Sequence, residues 1–155
     1  MTQEEKELVL KDITARSYYE LKVQIDFGEH CIKYGIDRYV DDTVICVWPE
    51  TFEVGVNDED QACDIEDVKP YLRPMSSMTE EEYEEFCKTD NLMATLLEIN
   101  RLGIQGTPEC HIMIAKALGA RVAEQQNWLN SHHFDYRGLI PKGLALEAPE
   151  GMYKS

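Results

Sequence analysis

The clearest signal along the chain is a strict alternation. In "ELKVQIDFG", Leu21, Val23, Ile25 and Phe27 alternate with Lys22, Gln24 and Asp26, and Gly28 closes the run. A period of two places the apolar set on one face of a pleated segment, so a half-buried strand is expected there. Upstream the period lengthens. Leu8, Val9, Leu10, Ile13 and Ala15 give one apolar side to a helix over residues 3–15, and Thr2 with Glu5 forms a capping box at its start. Downstream, "CIKYGIDRYV" and "TVICVWPETFEVGV" are β-branched and aromatic runs broken by Gly35, Asp41-Asp42 and Pro49-Glu50. Three or four further short strands are expected, mostly antiparallel, because the connections are too short for crossover helices.

The pattern then changes twice. In "DIEDVKPYLRPM", Asp64 and Asp67 suit a turn, while Pro70 and Pro74 bar a long regular element. Residues 64–78 therefore read as a one-turn helix on an extended linker. Beyond it the helical period takes over. "SSMTEEEYEEF" opens a helix with Thr79 as N-cap and Glu82 three residues on. "NLMATLLEINRLG" is a second helix, closed by Gly103. "GTPECHIMIAKALGARVAEQQNWLN" is a third, with Thr107 as N-cap and Pro108 at the first helical position. In the tail, Gly138, Pro141, Gly143, Pro149 and Gly151 forbid a helix, yet Leu139, Ile140, Leu144 and Leu146 need cover. A docked irregular tail follows. The expected fold class is α+β: an N-terminal helix and a small antiparallel β-sheet over 1–63, a linker over 64–78, and a three-helix half with the tail over 79–155. At 155 residues this is the size of one domain.

Charge sharpens the picture. The chain has a net charge of −15. Residues 1–90 hold 24 Asp/Glu against 9 Lys/Arg, whereas residues 91–155 hold 6 against 6. The whole imbalance lies in the first part. Such a field disfavours bare nucleic acid and anionic membranes, and suits a partner with a basic surface. No apolar run approaches the roughly 18 residues of a membrane span. The start, "MTQEEKELVL", is acidic where a signal peptide is basic and then apolar; a cytoplasmic location is expected. Cys31, Cys46, Cys63, Cys87 and Cys110 are odd in number and widely spaced, which fits neither a disulfide framework nor a zinc pattern. Free, mostly buried thiols are expected.

Four stretches could carry chemistry. The acidic run "NDEDQACDIED" (57–67) fails as a calcium loop. Counted from Asn57, the glycine and glutamate positions hold Ala62 and Val68; counted from Asp58, they hold Cys63 and Lys69. It reads as a solvated loop. "EEEYEEF" (80–86) could be an acidic docking face, but its glutamates are accounted for by a helix N-terminus. Cys110 beside His111 stands near a helix start, where a thiolate is favoured, yet no third group completes a catalytic set. The densest group is "HHFDYRG". His132, His133, Asp135, Tyr136 and Arg137 could form a ligand or interaction cluster, with histidine and carboxylate as base and orienter and arginine holding an anion. No nucleophile, phosphate loop or metal-ligand spacing accompanies it. The same residues equally serve to end a helix, with histidine favoured by the dipole, Gly138 turning the chain, and an Asp–Arg pair pinning the tail. Structural use is the stronger reading, no cofactor or metal is implied, and no catalytic residue is assigned.

"DVKPYLRPMSSMTEEEYEEF" and "NWLNSHHFDYRGLIPKGLALEAP" resemble a group of small uncharacterised proteins from gut Bacteroidetes genomes, often in prophage-like regions. The likeness covers the start of the chain, the middle and the C-terminal third, and is weaker over residues 28–63. It implies a bacterial or phage cytosolic accessory protein and supplies no catalytic residues. The leading expectation is therefore a non-enzymatic acidic interaction protein acting on a basic or nucleic-acid-binding host partner. One alternative is a small enzyme or small-ligand or nucleotide binder using the His132–Arg137 cluster. Another is a structural assembly component, and the oligomeric state is left open.

Overall fold

A computed structural model describes residues 1–56, 62–88 and 92–153. The architecture is α+β: an N-terminal helix, a six-stranded mostly antiparallel sheet, and C-terminal helices. Helix α1 spans Gln3–Arg16 and opens with the expected capping box. Glu5 donates its N–H to Thr2 Oγ1 at 3.2 Å, and the Thr2 N–H reaches Glu5 Oε2 at 2.7 Å. Strand β1 is Lys22–Asp26, and its burial alternates as the sequence pattern requires. Then come β2 (Tyr39–Trp48), β3 (Glu53–Val56) and β4 (Ala62–Asp64), each antiparallel to its neighbour.

Two expectations are corrected here. "CIKYG" is not a strand. Glu29–Tyr34 winds into a 3-10 helix between Gly28 and Gly35, both at positive φ, and pairing resumes only at Tyr39. Residues 64–78 are not a linker either. Ile65–Asp67 does form the single helical turn, but Val68–Leu72 is β5, an interior strand between β1 and β6 (Leu146–Glu147). Pro70 is tolerated because it pairs with Val23 on one side, while the parallel partner β6 begins only opposite Tyr71. A proline is acceptable where one side of the strand is vacant.

The strand order is β4-β3-β2-β1-β5-β6. In β2 the register shifts between Val44 and Cys46, leaving Ile45 as the bulged residue. Across from it, Gly55 admits the Trp48 ring: a Cβ there would stand 2.3 Å from Cys46 Sγ and 3.0 Å from the indole. The core lies between α1 and the sheet. Val9 and Ile13 of α1 meet Val23, Ile25, Val44, Val54, Val56, Val68 and Leu72, and the tail adds Leu139, Leu144 and Ala145. Each fully buried leucine or valine contributes roughly 1.5–3 kcal/mol, so the irregular tail is an integral wall of the core.

Three helices lie between β5 and β6 in the chain: α2 (Glu80–Lys88), α3 (Leu92–Leu102) and α4 (Pro108–Ser131). Thr79 caps α2 through a second capping box with Glu82, and Thr107 Oγ1 accepts the Cys110 N–H at 3.2 Å. The chain forms two compact units, Met1–Met75 with Asn130–Ser155, and Ser76–Leu129. The first holds the sheet, α1 and the tail; the second holds α2, α3 and most of α4.

Candidate functional site

The apolar side of α1 carries two charged residues. Val9, Asp12, Ile13 and Arg16 share one helical face, and all four are 0% exposed. Arg16 grips Asp12 with two bonds, Nε to Oδ2 at 2.8 Å and Nη2 to Oδ1 at 3.0 Å. A buried pair needs further partners to offset desolvation, and the C-terminal segment supplies them. Arg137 Nη1 reaches Asp12 Oδ1 at 2.7 Å, and Arg16 Nη2 donates to the Phe134 carbonyl at 2.8 Å.

The segment takes this path because α4 stops at Ser131. His133 adopts left-handed backbone (φ 58°), so the helix does not persist through Asp135 and the expected shared face of His132 and Asp135 does not form. The reversed chain runs beside Arg73. The Arg73 N–H donates to the His133 carbonyl at 2.8 Å, and the Asp135 N–H donates to the Arg73 carbonyl at 2.7 Å. Asp135 is not the partner of Arg137. Its carboxylate accepts the N–H groups of Leu139 at 2.8 Å and Ile140 at 2.9 Å, fixing the turn that delivers the tail. Tyr136 donates to Asn130 Oδ1 at 3.1 Å, and the Arg137 guanidinium lies 4.4 Å over its ring.

His133 is sealed in. Its ring stacks on Tyr153 with centroids 3.8 Å apart and hydrogen-bonds the Tyr19 backbone. Among the described residues Nδ1 has no partner. Burial, with the Arg16 charge adding to it, lowers its pKa to about 4, so the ring is neutral near pH 7. The dipole argument for a protonated histidine at this helix end therefore does not apply. His132 is half-buried, with Ser131 Oγ 3.1 Å from its Nδ1. Tyr153 goes further. Its hydroxyl accepts the Lys22 N–H at 2.9 Å and donates to the Tyr71 carbonyl at 2.9 Å. It sits where the β1–β5 ladder would otherwise continue beyond the Val23–Pro70 pair.

The cluster thus brings together His133, Asp135, Tyr136 and Arg137, and adds Asp12, Arg16 and Tyr153, which sequence reasoning did not single out. One clue was available: Asp12 and Arg16 stand four apart on the otherwise apolar stripe of α1. Every named polar contact points into the fold. Beside the cluster, Leu10, Lys11, Thr14, Ala15, Pro49 and Arg137 help line a shallow groove of about 420 Å³, mostly apolar.

The other candidate stretches are placed as follows. Residues 57–61 of the acidic run lie outside the described residues. Glu80, Glu81, Glu84 and Glu85 are exposed on α2. Cys110 is buried while His111 is exposed; of the five free thiols only Cys63 and Cys110 are buried, fewer than expected. Among the described residues, no group of three or more His, Cys, Asp or Glu is placed to hold a metal, and no helix is long and apolar enough to cross a membrane. No family model, curated protein or solved structure matches the chain.

Proposed function

We propose that this chain is a non-enzymatic interaction protein, an accessory protein of phage or mobile-element origin, whose acidic surface engages a basic or nucleic-acid-binding host protein. The observation that carries this reading is where the charges stand. The 24 acidic residues of positions 1–90 far exceed the 9 basic ones. Glu4, Glu7, Glu20, Glu29, Asp37, Asp41, Glu50, Glu66 and the α2 glutamates Glu80, Glu81, Glu84 and Glu85 are exposed. The densest group of potential catalytic side chains is spent instead on clasping α1 to the tail. An excess of negative charge in solvent raises the encounter rate with basic proteins and repels nucleic acid.

Capture from bacterial lysate at about 50 mM and about 500 mM salt tests it, because screening at the higher salt shortens the reach of surface charge to a few ångströms. A partner retained at low salt and lost at high salt, and lost also with the α2 glutamates changed to glutamine, supports the reading. Recovery of nothing, or of a partner indifferent to both changes, rejects it.

A small-ligand role has one observation in its favour, the apolar groove edged by Lys11 and Arg137. Its volume falls within the range of small-molecule sites, and Glu7 stands with Lys11 and Arg137 on its rim. Binding abolished by Ala15→Phe, which fills the groove, is the expected sign of such a role.

A further inference from the structure

The slot that holds Tyr153 is matched to one kind of group. The His133 ring forms one wall, stacked on the phenol with centroids 3.8 Å apart and 21° between the planes. At the inner end the Lys22 N–H and the Tyr71 carbonyl each stand 2.9 Å from the phenol oxygen. A hydroxyl on a flat ring suits this end, because it accepts from the N–H and donates to the carbonyl at once. A carboxylate or a methoxy group brings no hydrogen for Tyr71. A bare ring leaves both backbone groups unpaired, which is costly at a buried position. The slot therefore selects a neutral phenol.

Its occupant is thinly attached. Ala148 is still tied to the sheet, its N–H donating to the Leu72 carbonyl at 2.8 Å. Beyond it Pro149, Glu150 and Gly151 are exposed, and the Met152 N–H returns to the Pro149 carbonyl within the same turn. Among the described residues, every hydrogen bond that joins 149–153 to the sheet runs through the Tyr153 hydroxyl. One side chain anchors five residues.

The closed state also carries a defect. His133 is 3% exposed, and its Nδ1 has no partner among the described residues while Tyr153 covers the ring. Lifting the tyrosine lets water reach that nitrogen, which offsets part of what opening loses. A segment with exposed backbone and few buried contacts opens far more often than the core it rests on.

We propose that the cleft between β1, β5 and His133 is a binding site for a phenol ring, and that Tyr153 is a displaceable latch occupying it until the tail lifts. The incoming ring is a free small phenol or the tyrosyl side chain of another polypeptide, since the recognised chemistry is the same. Amide exchange of the intact chain tests the latch. Lys22 is expected to exchange through an opening about a hundredfold or more as frequent as the global one read at Ile13 of α1. Equal protection at the two amides makes Tyr153 fixed packing and overturns the latch. Tyr153→Ala, made in the full chain, tests the slot. Added 4-methylphenol is expected to raise the variant's melting temperature saturably and to restore protection at Lys22, or to refold the variant where it does not fold unaided. 4-Methylanisole, which lacks the hydroxyl hydrogen, should bind about tenfold more weakly or worse. The intact chain should need more 4-methylphenol than the variant, by the factor to which the latch is closed. N-Acetyltyrosinamide separates the sources: it protects the variant where a tyrosyl side chain is taken, and leaves it unchanged where free phenols alone enter. A variant indifferent to 4-methylphenol, or one that binds 4-methylanisole equally well, overturns the site.

Discussion

His133 combines three unusual features: left-handed backbone, a stacked ring, and a buried Nδ1 without a partner among the described residues. Its folded pKa of about 4 lies below the unfolded value near 6.5. As pH falls, the unfolded chain therefore takes up the proton first. The stabilisation is complete above about pH 6.5 and is lost progressively down to about pH 4, by on the order of 3 kcal/mol. Urea midpoints measured from pH 7 to pH 4 should show this decline. His133→Asn, which accepts the left-handed backbone, should flatten the histidine's share of it. An equal decline in the variant would assign the pH dependence to other groups.

At the scale of elements, α1 and the tail are joined by one buried carboxylate holding two arginines. Asp12→Ala leaves both guanidinium groups uncompensated and is expected to cost about 3–5 kcal/mol. Arg137→Ala should cost clearly less, because Arg16 still satisfies Asp12 from within the same helix. Denaturant titration of the two variants gives that order or refutes the shared-carboxylate arrangement. The second joint is Tyr153, which bridges β1 and β5. Tyr153→Phe keeps the stack on His133 but leaves two backbone groups without their partner, for a loss of about 1–3 kcal/mol. Amide exchange should accelerate at Lys22 specifically. Unchanged protection there would mean that the hydroxyl does not hold the strand.

For the whole molecule, the net charge of −15 sets the balance of long-range forces. Self-repulsion opposes compactness, and salt screens it. Raising salt from about 20 mM to about 500 mM should therefore raise the melting temperature by several degrees, of the order that about 1 kcal/mol produces in a domain of this size. The surface ion pairs, such as Lys6–Glu66 and Arg38–Asp26, act in the opposite direction. A melting temperature that falls with salt would show that these pairs outweigh the repulsion. The two compact units give a further contrast, for the sheet unit holds nearly all the large buried side chains while the helical unit holds few.

Much of this was legible in the sequence, because period and capping are local. The alternation of β1, the capping boxes at Thr2 and Thr79, the N-cap at Thr107, and the leucines that oblige the tail to dock each follow from neighbours within a few residues. What neighbours do not determine was misread. Val68–Leu72 becomes a strand despite Pro70 because β1 is there to pair with it, and the 29–34 segment winds into a helix between two left-handed glycines. The site shows the same division. The crowding of His132, His133, Asp135, Tyr136 and Arg137 is visible in the sequence, but the partners Asp12, Arg16, Tyr19 and Arg73 lie far away along the chain. By itself the sequence determined the periodicities, the helix starts and the uneven charge, which are properties of adjacent residues. Only the tertiary structure decided that Arg137 pairs with Asp12, that Asp135 turns the tail, and that His133 is neutral, because burial and long-range pairing arise when distant segments exclude water together.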